Sequence, residues 1–188
     1  MFKYDVCIVG TGRVGLPLAL SLIESGLKVT GVDLDEKLRN SVDNGIMPFH
    51  EPGYDDLVAS KQLSIQATPN KVVPDSACVV ITVGTPLHNH IETDLSQIQR
   101  VLSGLGEFFR EGQLIVLRST VAPGTTSYVK KWIERNTKFT VGKDLYLSFC
   151  PERIAEGVAY TELRSLPQIC GAEDDASRDK AGELFSKL

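Results

Sequence analysis

The sequence predicts an α/β fold: a doubly wound, mainly parallel six-stranded sheet with helices on both faces. Three observations carry this reading. Six short, β-branched apolar runs alternate with stretches of helical periodicity. The runs are apolar almost throughout rather than at every second residue, as strands covered on both faces are. The chain has 188 residues, the length of one domain.

Tyr4–Val9 reads as the first strand, and residues 14–25 as a helix with Leu18, Leu20, Leu22 and Ile23 on an apolar face that Gly26 stops. Residues 28–33 form the second strand. A helix over 36–44 follows, ended by Asn44-Gly45, then a loop with Pro48 and Pro52 and a short helix over 54–59. Residues 63–67 are a weaker third strand and 77–83 a strongly apolar fourth. Ile98, Val101, Leu102, Leu105 and Phe108 place one face on a long helix over 95–110. The fifth strand spans 114–119, the next helix 125–136, and the sixth strand 145–149. After Pro151 the pattern loosens, and a last helix is expected over 176–188. Crossovers between the parallel strands should be right-handed.

Composition excludes several classes. Twenty Lys and Arg against twenty-four Asp and Glu give a net charge of −4, without the basic stripe of a nucleic-acid binder. No stretch approaches the ~20 apolar residues of a membrane span, and the N-terminus lacks a signal-peptide pattern. Cys7, Cys78, Cys150 and Cys170 are widely spaced, which predicts reduced, buried thiols and a cytoplasmic location. His50, His88 and His90 do not cluster into a metal site, so no metal is expected.

Ligands of doubly wound sheets bind beyond the carboxyl ends of the strands. There the first strand runs into Gly10-Thr11-Gly12-Arg13-Val14-Gly15, which matches G-x-G-x-x-G and opens a helix at once. Gly10 permits the turn, Gly12 lets backbone approach a pyrophosphate, and Gly15 lets helix and strand pack closely. The helix N-terminus offers unpaired N–H groups to phosphate. A glycine-rich turn without a ligand is the bland alternative. Asp33 closes the second strand where a carboxylate can bind an adenosine ribose, with no arginine directly beside it. This favours NAD over NADP in a Rossmann-type site. Asp33 could instead cap the following helix, a role that suits Asp35 better.

Three further strand ends carry polar groups. The fourth ends in Thr82-Val83-Gly84-Thr85-Pro86, a cofactor contact or a plain turn. The fifth ends in Ser119-Thr120-Val121-Ala122-Pro123-Gly124-Thr125-Thr126. Helix capping accounts for Thr125 but less well for Thr120. The sixth ends in Cys150-Pro151-Glu152-Arg153-Ile154-Ala155-Glu156-Gly157, two carboxylates and a guanidinium at one strand mouth, or a solvated charged loop.

Together these residues resemble the UDP-glucose/GDP-mannose dehydrogenase family, NAD-dependent enzymes that oxidise a nucleotide-sugar CH₂OH to a carboxylate in two steps. The shared features, in family order, are Gly10-x-Gly12-x-Val14-Gly15-Leu16-Pro17, Val32-Asp33-Leu34-Asp35, Glu51-Pro52-Gly53 and Thr85-Pro86. Ser119-Thr120-Val121-x-Pro123-Gly124-Thr125-Thr126 and Pro151-Glu152-Arg153-x-x-Glu156-Gly157 complete the set. The last segment, with Glu162-Leu163 and Leu166-Pro167-Gln168-Ile169, looks most like the UDP-N-acetylmannosamine dehydrogenase branch.

The resemblance implies that Gly10, Gly12, Arg13, Val14, Gly15 and Asp33 hold the adenosine diphosphate half of NAD, and that Thr85 and Pro86 line its crevice. It implies that Thr120 positions a catalytic water and contacts cofactor, that Glu152 acts with that water in acid–base work, and that Glu152, Arg153 and Glu156 contact substrate. Glu156 would also lie near the nicotinamide. Two departures stand out. The family commonly has a basic residue five positions after the ribose acid, where this chain has Leu38 preceded by Lys37. The family's thiol nucleophile lies in a Gly-Gly-x-Cys-x-Pro-Lys-Asp-like segment, and no cysteine here matches it. Residues 1–188 are therefore expected to be the NAD-binding domain of a longer enzyme, itself inactive alone. The dimer core and second nucleotide-type domain would lie elsewhere, in a parent that is a homodimer or higher homo-oligomer. The rival reading is a stand-alone NAD-binding sensor without chemistry.

Overall fold

The structure, a computed structural model, describes residues 1–83 and 95–188. Six strands form one parallel sheet: β1 (Tyr4–Val9), β2 (Val29–Val32), β3 (Ser64–Gln66), β4 (Ser76–Ile81), β5 (Leu114–Leu117) and β6 (Tyr146–Phe149). Their spatial order is β3-β2-β1-β4-β5-β6. β1 lies between β2 and β4, with Val6 opposite both Val29 and Cys78. The chain thus winds outward first to one side of β1 and then to the other, and the reversal leaves a crevice between β1 and β4.

Along β1, side chains alternate between two cores. Val6 and Ile8 pack with helices α1 (Gly15–Glu24), α3 (Asp55–Ala59), α6 (Ala159–Ser165) and α7 (Asp175–Phe185). Cys7 and Val9 pack with α4 (Ser96–Leu105) and α5 (Thr125–Asn136) on the opposite face. Both faces are covered, which is why the strand sequences lack polar alternation. Helix α2 (Glu36–Asp43) starts on Asp35, whose carboxylate accepts from Lys37 N (2.9 Å) and Leu38 N (3.2 Å). The predicted helix over 95–110 is shorter: α4 gives way to a 3₁₀ turn over Gly106–Phe108. Gly106 packs under the Trp132 ring, where a Cβ would lie 2.8 Å from Cη2. Helix α7 ends at Phe185 rather than at residue 188. The reading of the sequence missed α6, a short helix with only Ala159 and Leu163 buried.

Candidate functional site

The crevice is built first by the turn from β1 to α1. Gly10 has φ +92°, a left-handed conformation that glycine adopts without strain. A Cβ on Gly15 would fall inside the Gly10 carbonyl oxygen and 2.7 Å from Thr82 Oγ1, so α1 sits as close to the strand ends as backbone allows. The Thr82 hydroxyl is directed at the carbonyls of Val9 (3.0 Å) and Gly10, tying β4 to the turn. The first intrahelical bond runs from Leu16 N to Gly12 O (2.9 Å), so the N–H groups of Arg13, Val14 and Gly15 precede it. A Cβ on Gly12 would meet no atom within 4 Å: the space over the turn is open.

Asp33 does not cap α2. Its Oδ2 accepts from Thr11 N (2.6 Å) and Thr11 Oγ1 (3.1 Å), and its Oδ1 from Asp35 N (2.9 Å). The carboxylate is thus fixed beside the glycine turn and remains half-exposed. Contrary to the sequence expectation, an arginine does stand beside it. The first turn of α2 brings Arg39 back, and its Nη1 donates to the Asp33 carbonyl (2.7 Å). Open space at Gly12, a helix N-terminus and a braced carboxylate fit the pyrophosphate and adenosine ribose of a dinucleotide.

The family model for the NAD binding domain of UDP-glucose/GDP-mannose dehydrogenases matches residues 4–188. This chain belongs to that family. Over 99% of its length it is 34% identical to a UDP-N-acetyl-D-mannosamine dehydrogenase of Methanococcus maripaludis, and it covers 43% of that protein. It is 33% identical to the Bacillus subtilis UDP-glucose 6-dehydrogenase TuaD over 97% of its length, covering 40% of it. The fold superposes on a Pseudomonas aeruginosa GDP-mannose dehydrogenase with a TM-score of 0.90 at 30% identity, over 98% of this chain and 44% of that one. With a Pyrococcus horikoshii UDP-D-ManNAc dehydrogenase the TM-score is 0.87 at 28% identity, over 97% and 44% of the two chains. The chain thus spans less than half the length of these relatives. It is an NAD-binding domain, and its cofactor is NAD.

On the far side of the crevice, this NAD-binding domain carries its acidic residues on the segment after β6. Glu152 Oε2 accepts from Arg118 Nε (3.0 Å) and Nη2 (2.6 Å), while Oε1 accepts from Arg153 N (2.7 Å) and Ile154 N (3.1 Å). Arg118 follows β5, is fully buried, and stacks 4.9 Å from the centre of the Phe185 ring. Its Nη1 donates to Cys150 O (3.2 Å) and Gln168 Oε1 (2.9 Å). Glu156 reaches across the crevice to pair with Arg13 of the glycine turn, both being exposed, and Arg13 also lies 5.3 Å over Phe49. Arg153 turns away, its guanidinium bonded to the Pro167 carbonyl.

Thr120 is exposed at the mouth of β5, one residue after Ser119, whose hydroxyl donates to Val83 O (2.7 Å) and closes β5 against β4. Thr125 is buried, and its hydroxyl donates to Ala122 O (2.7 Å), so it belongs to the turn into α5. Thr85 and Pro86 lie outside the described residues. Among those described, no group of three or more His, Cys, Asp or Glu could hold a metal. No helix among them is long and apolar enough to cross a membrane.

Two residues of the site had no assigned role from sequence. Arg118 was read only as part of a strand, although one arginine at the end of the apolar run Leu114–Leu117 is itself a signal of a buried ion pair. Glu51, 3% exposed, accepts from Gly157 N (2.9 Å) and Ala159 N (2.8 Å) and so anchors the segment that carries Glu152 and Glu156. Its motif, Glu51-Pro52-Gly53, was visible, but its partners lie 106 and 108 residues away.

Proposed function

We propose that this domain serves a nucleotide-sugar 6-dehydrogenase that oxidises a sugar CH₂OH to a carboxylate in two NAD-dependent steps. The proposed substrate is UDP-N-acetylmannosamine, with UDP-glucose and GDP-mannose as the alternatives. The observation that supports this most is the placement of Thr120 and the braced Glu152 at neighbouring strand mouths, beyond the dinucleotide turn. A cofactor sensor has no use for an oriented carboxylate there. NAD, when bound, supplies the hydride acceptor. Gly10, Gly12, Val14 and Gly15 would hold its pyrophosphate by backbone, Arg13 would add charge, and Asp33 would hold its ribose. Thr85 and Pro86 would line the crevice. Thr120 would orient a water by its hydroxyl and Glu152 would accept that water's proton. Glu156 would contact the sugar nucleotide, and Arg153 would do so only once its guanidinium leaves the Pro167 carbonyl. The acid product suits polysaccharide biosynthesis in the cytoplasm by a homo-oligomeric parent.

Kinetics of the full-length protein test this. Glu152→Gln also takes the counter-charge from buried Arg118, so its melting is checked first; it and Thr120→Ala should lower kcat and kcat/KM together by about 10²–10⁴-fold while leaving NAD affinity little changed. Turnover within about twofold of wild type would remove both from the chemistry. NADH formation with UDP-N-acetylmannosamine, UDP-glucose and GDP-mannose in parallel ranks the substrates. No NADH from any of them would favour the sensor.

A further inference from the structure

Phe149 and Gly171 form an antiparallel bridge, exchanging both backbone bonds: Phe149 N to Gly171 O (2.8 Å) and Gly171 N to Phe149 O (2.9 Å). Register then sets Cys150 opposite Cys170, in the next pair along. Cys150 N bonds instead to Leu117 O on β5 (2.9 Å), so Cys150 and Cys170 form a non-hydrogen-bonded pair. In such pairs the Cα atoms approach to about 4.5 Å and opposed side chains share one face, within the span a disulfide bridges. Both side chains do share a face, packing into the same core cluster, and after burial it is the neighbouring Cys170 thiol that raises Cys150. Both are free cysteines, Cys150 buried and Cys170 half-buried.

We infer that Cys150 and Cys170 are a redox modification site, a cross-strand thiol pair that peroxide converts into a reversible disulfide. The half-buried Cys170 sulfur meets the oxidant first. It attacks one oxygen of hydrogen peroxide, the O–O bond breaks, and Cys170 sulfenic acid and water result. The Cys150 sulfur then attacks the sulfenic sulfur, forming S–S and breaking S–O, and the leaving hydroxide takes the Cys150 proton as a second water. Two thiols and one peroxide thus give one disulfide and two waters. Burial pushes the Cys150 thiol up and keeps it from meeting oxidant itself, so its attack depends on its place opposite Cys170. The bond would close a ring over residues 151–169. That ring carries Glu152 and Gln168, and the Cys150 carbonyl at its base accepts from Arg118.

The test is peroxide treatment of the purified protein under native conditions, followed by alkylation and peptide mapping. The expected result is a peptide linking Cys150 to Cys170, released by dithiothreitol. The oxidised protein should melt several degrees higher, since the unfolded chain then carries a closed loop of about 20 residues. Cys170→Ser should abolish the linked peptide and Cys78→Ala should retain it. Cys170→Ser changes a half-buried position, and its unaltered melting before oxidation checks that it folds. Sulfinic acid on Cys170 without the link, a Cys78–Cys150 link, or chains joined only between molecules would each overturn the inference. None of these readouts depends on nucleotide-sugar oxidation.

Discussion

The guanidinium of Arg118, fully buried, holds the Glu152 carboxylate at 2.6 and 3.0 Å through two nitrogens, while the other carboxylate oxygen takes two backbone N–H groups. Removal of Glu152 would leave the buried Arg118 guanidinium without its counter-charge. Glu152→Ala should therefore destabilise the domain by about 3–5 kcal/mol, an unusual cost for a crevice residue. Urea unfolding measures it. A midpoint equal to wild type would mean that the pair does not hold the segment after β6.

NAD should bind at least about tenfold more tightly than NADP, a difference of about 1.4 kcal/mol. Asp33, fixed by Thr11, is the residue proposed to read the ribose hydroxyls, and a 2′-phosphate bound there would face a carboxylate. Arg39 gives this prediction a second part. In Asp33→Ala the guanidinium stays on the residue 33 carbonyl, so the preference should narrow towards NADP rather than merely vanish into weak binding. Calorimetric titration of both cofactors decides. Equal affinity in the wild-type domain would overturn the role given to Asp33.

Gly12 and Gly15 should respond oppositely to alanine. A Cβ at Gly15 collides with the Gly10 carbonyl and Thr82, so Gly15→Ala should unfold at clearly lower temperature. A Cβ at Gly12 meets nothing in the protein, so Gly12→Ala should melt within about 2 °C of wild type yet bind NAD at least about tenfold more weakly. Unimpaired NAD binding by Gly12→Ala would show that the pyrophosphate does not lie over that residue.

What was legible in the sequence is what is local. Apart from the edge strand β3, the strands announce themselves because burial on both faces leaves an apolar run, and the turn from β1 to α1 needs its glycines within six consecutive residues. Asp35 as the α2 cap was equally local. Helix α6 was not, because its first N–H, that of Ala159, is bonded by Glu51 across 108 residues and few of its side chains are apolar and buried. Arg39 was missed beside Asp33 because a helical turn, not sequence adjacency, brings them together. The role of Arg118 depends on β5 and β6 ending side by side, which only the sheet order supplies.

Alkaline pH should destabilise this domain earlier than its charge balance alone suggests. Burial pushes the Cys7 thiol up from 9.0 to about 12. It pushes the Tyr54 phenol, bonded to Ser21 Oγ at 2.8 Å, up from 10.0 to about 12. Burial also raises Cys78 and Cys150. In the unfolded chain these groups lose their protons near their ordinary values, while the folded chain keeps them until about pH 12. Between those limits the unfolded state binds fewer protons, so stability is level below pH 9 and falls as pH rises through the window. Each group adds at most about 1.4 kcal/mol per pH unit to the slope. Urea midpoints measured with reductant should thus be steady up to about pH 8 and clearly lower at about pH 10. Cys7→Ala, which removes one of the buried thiols, should lessen the fall. A midpoint that does not move between the two would mean that these side chains reach water in the folded domain.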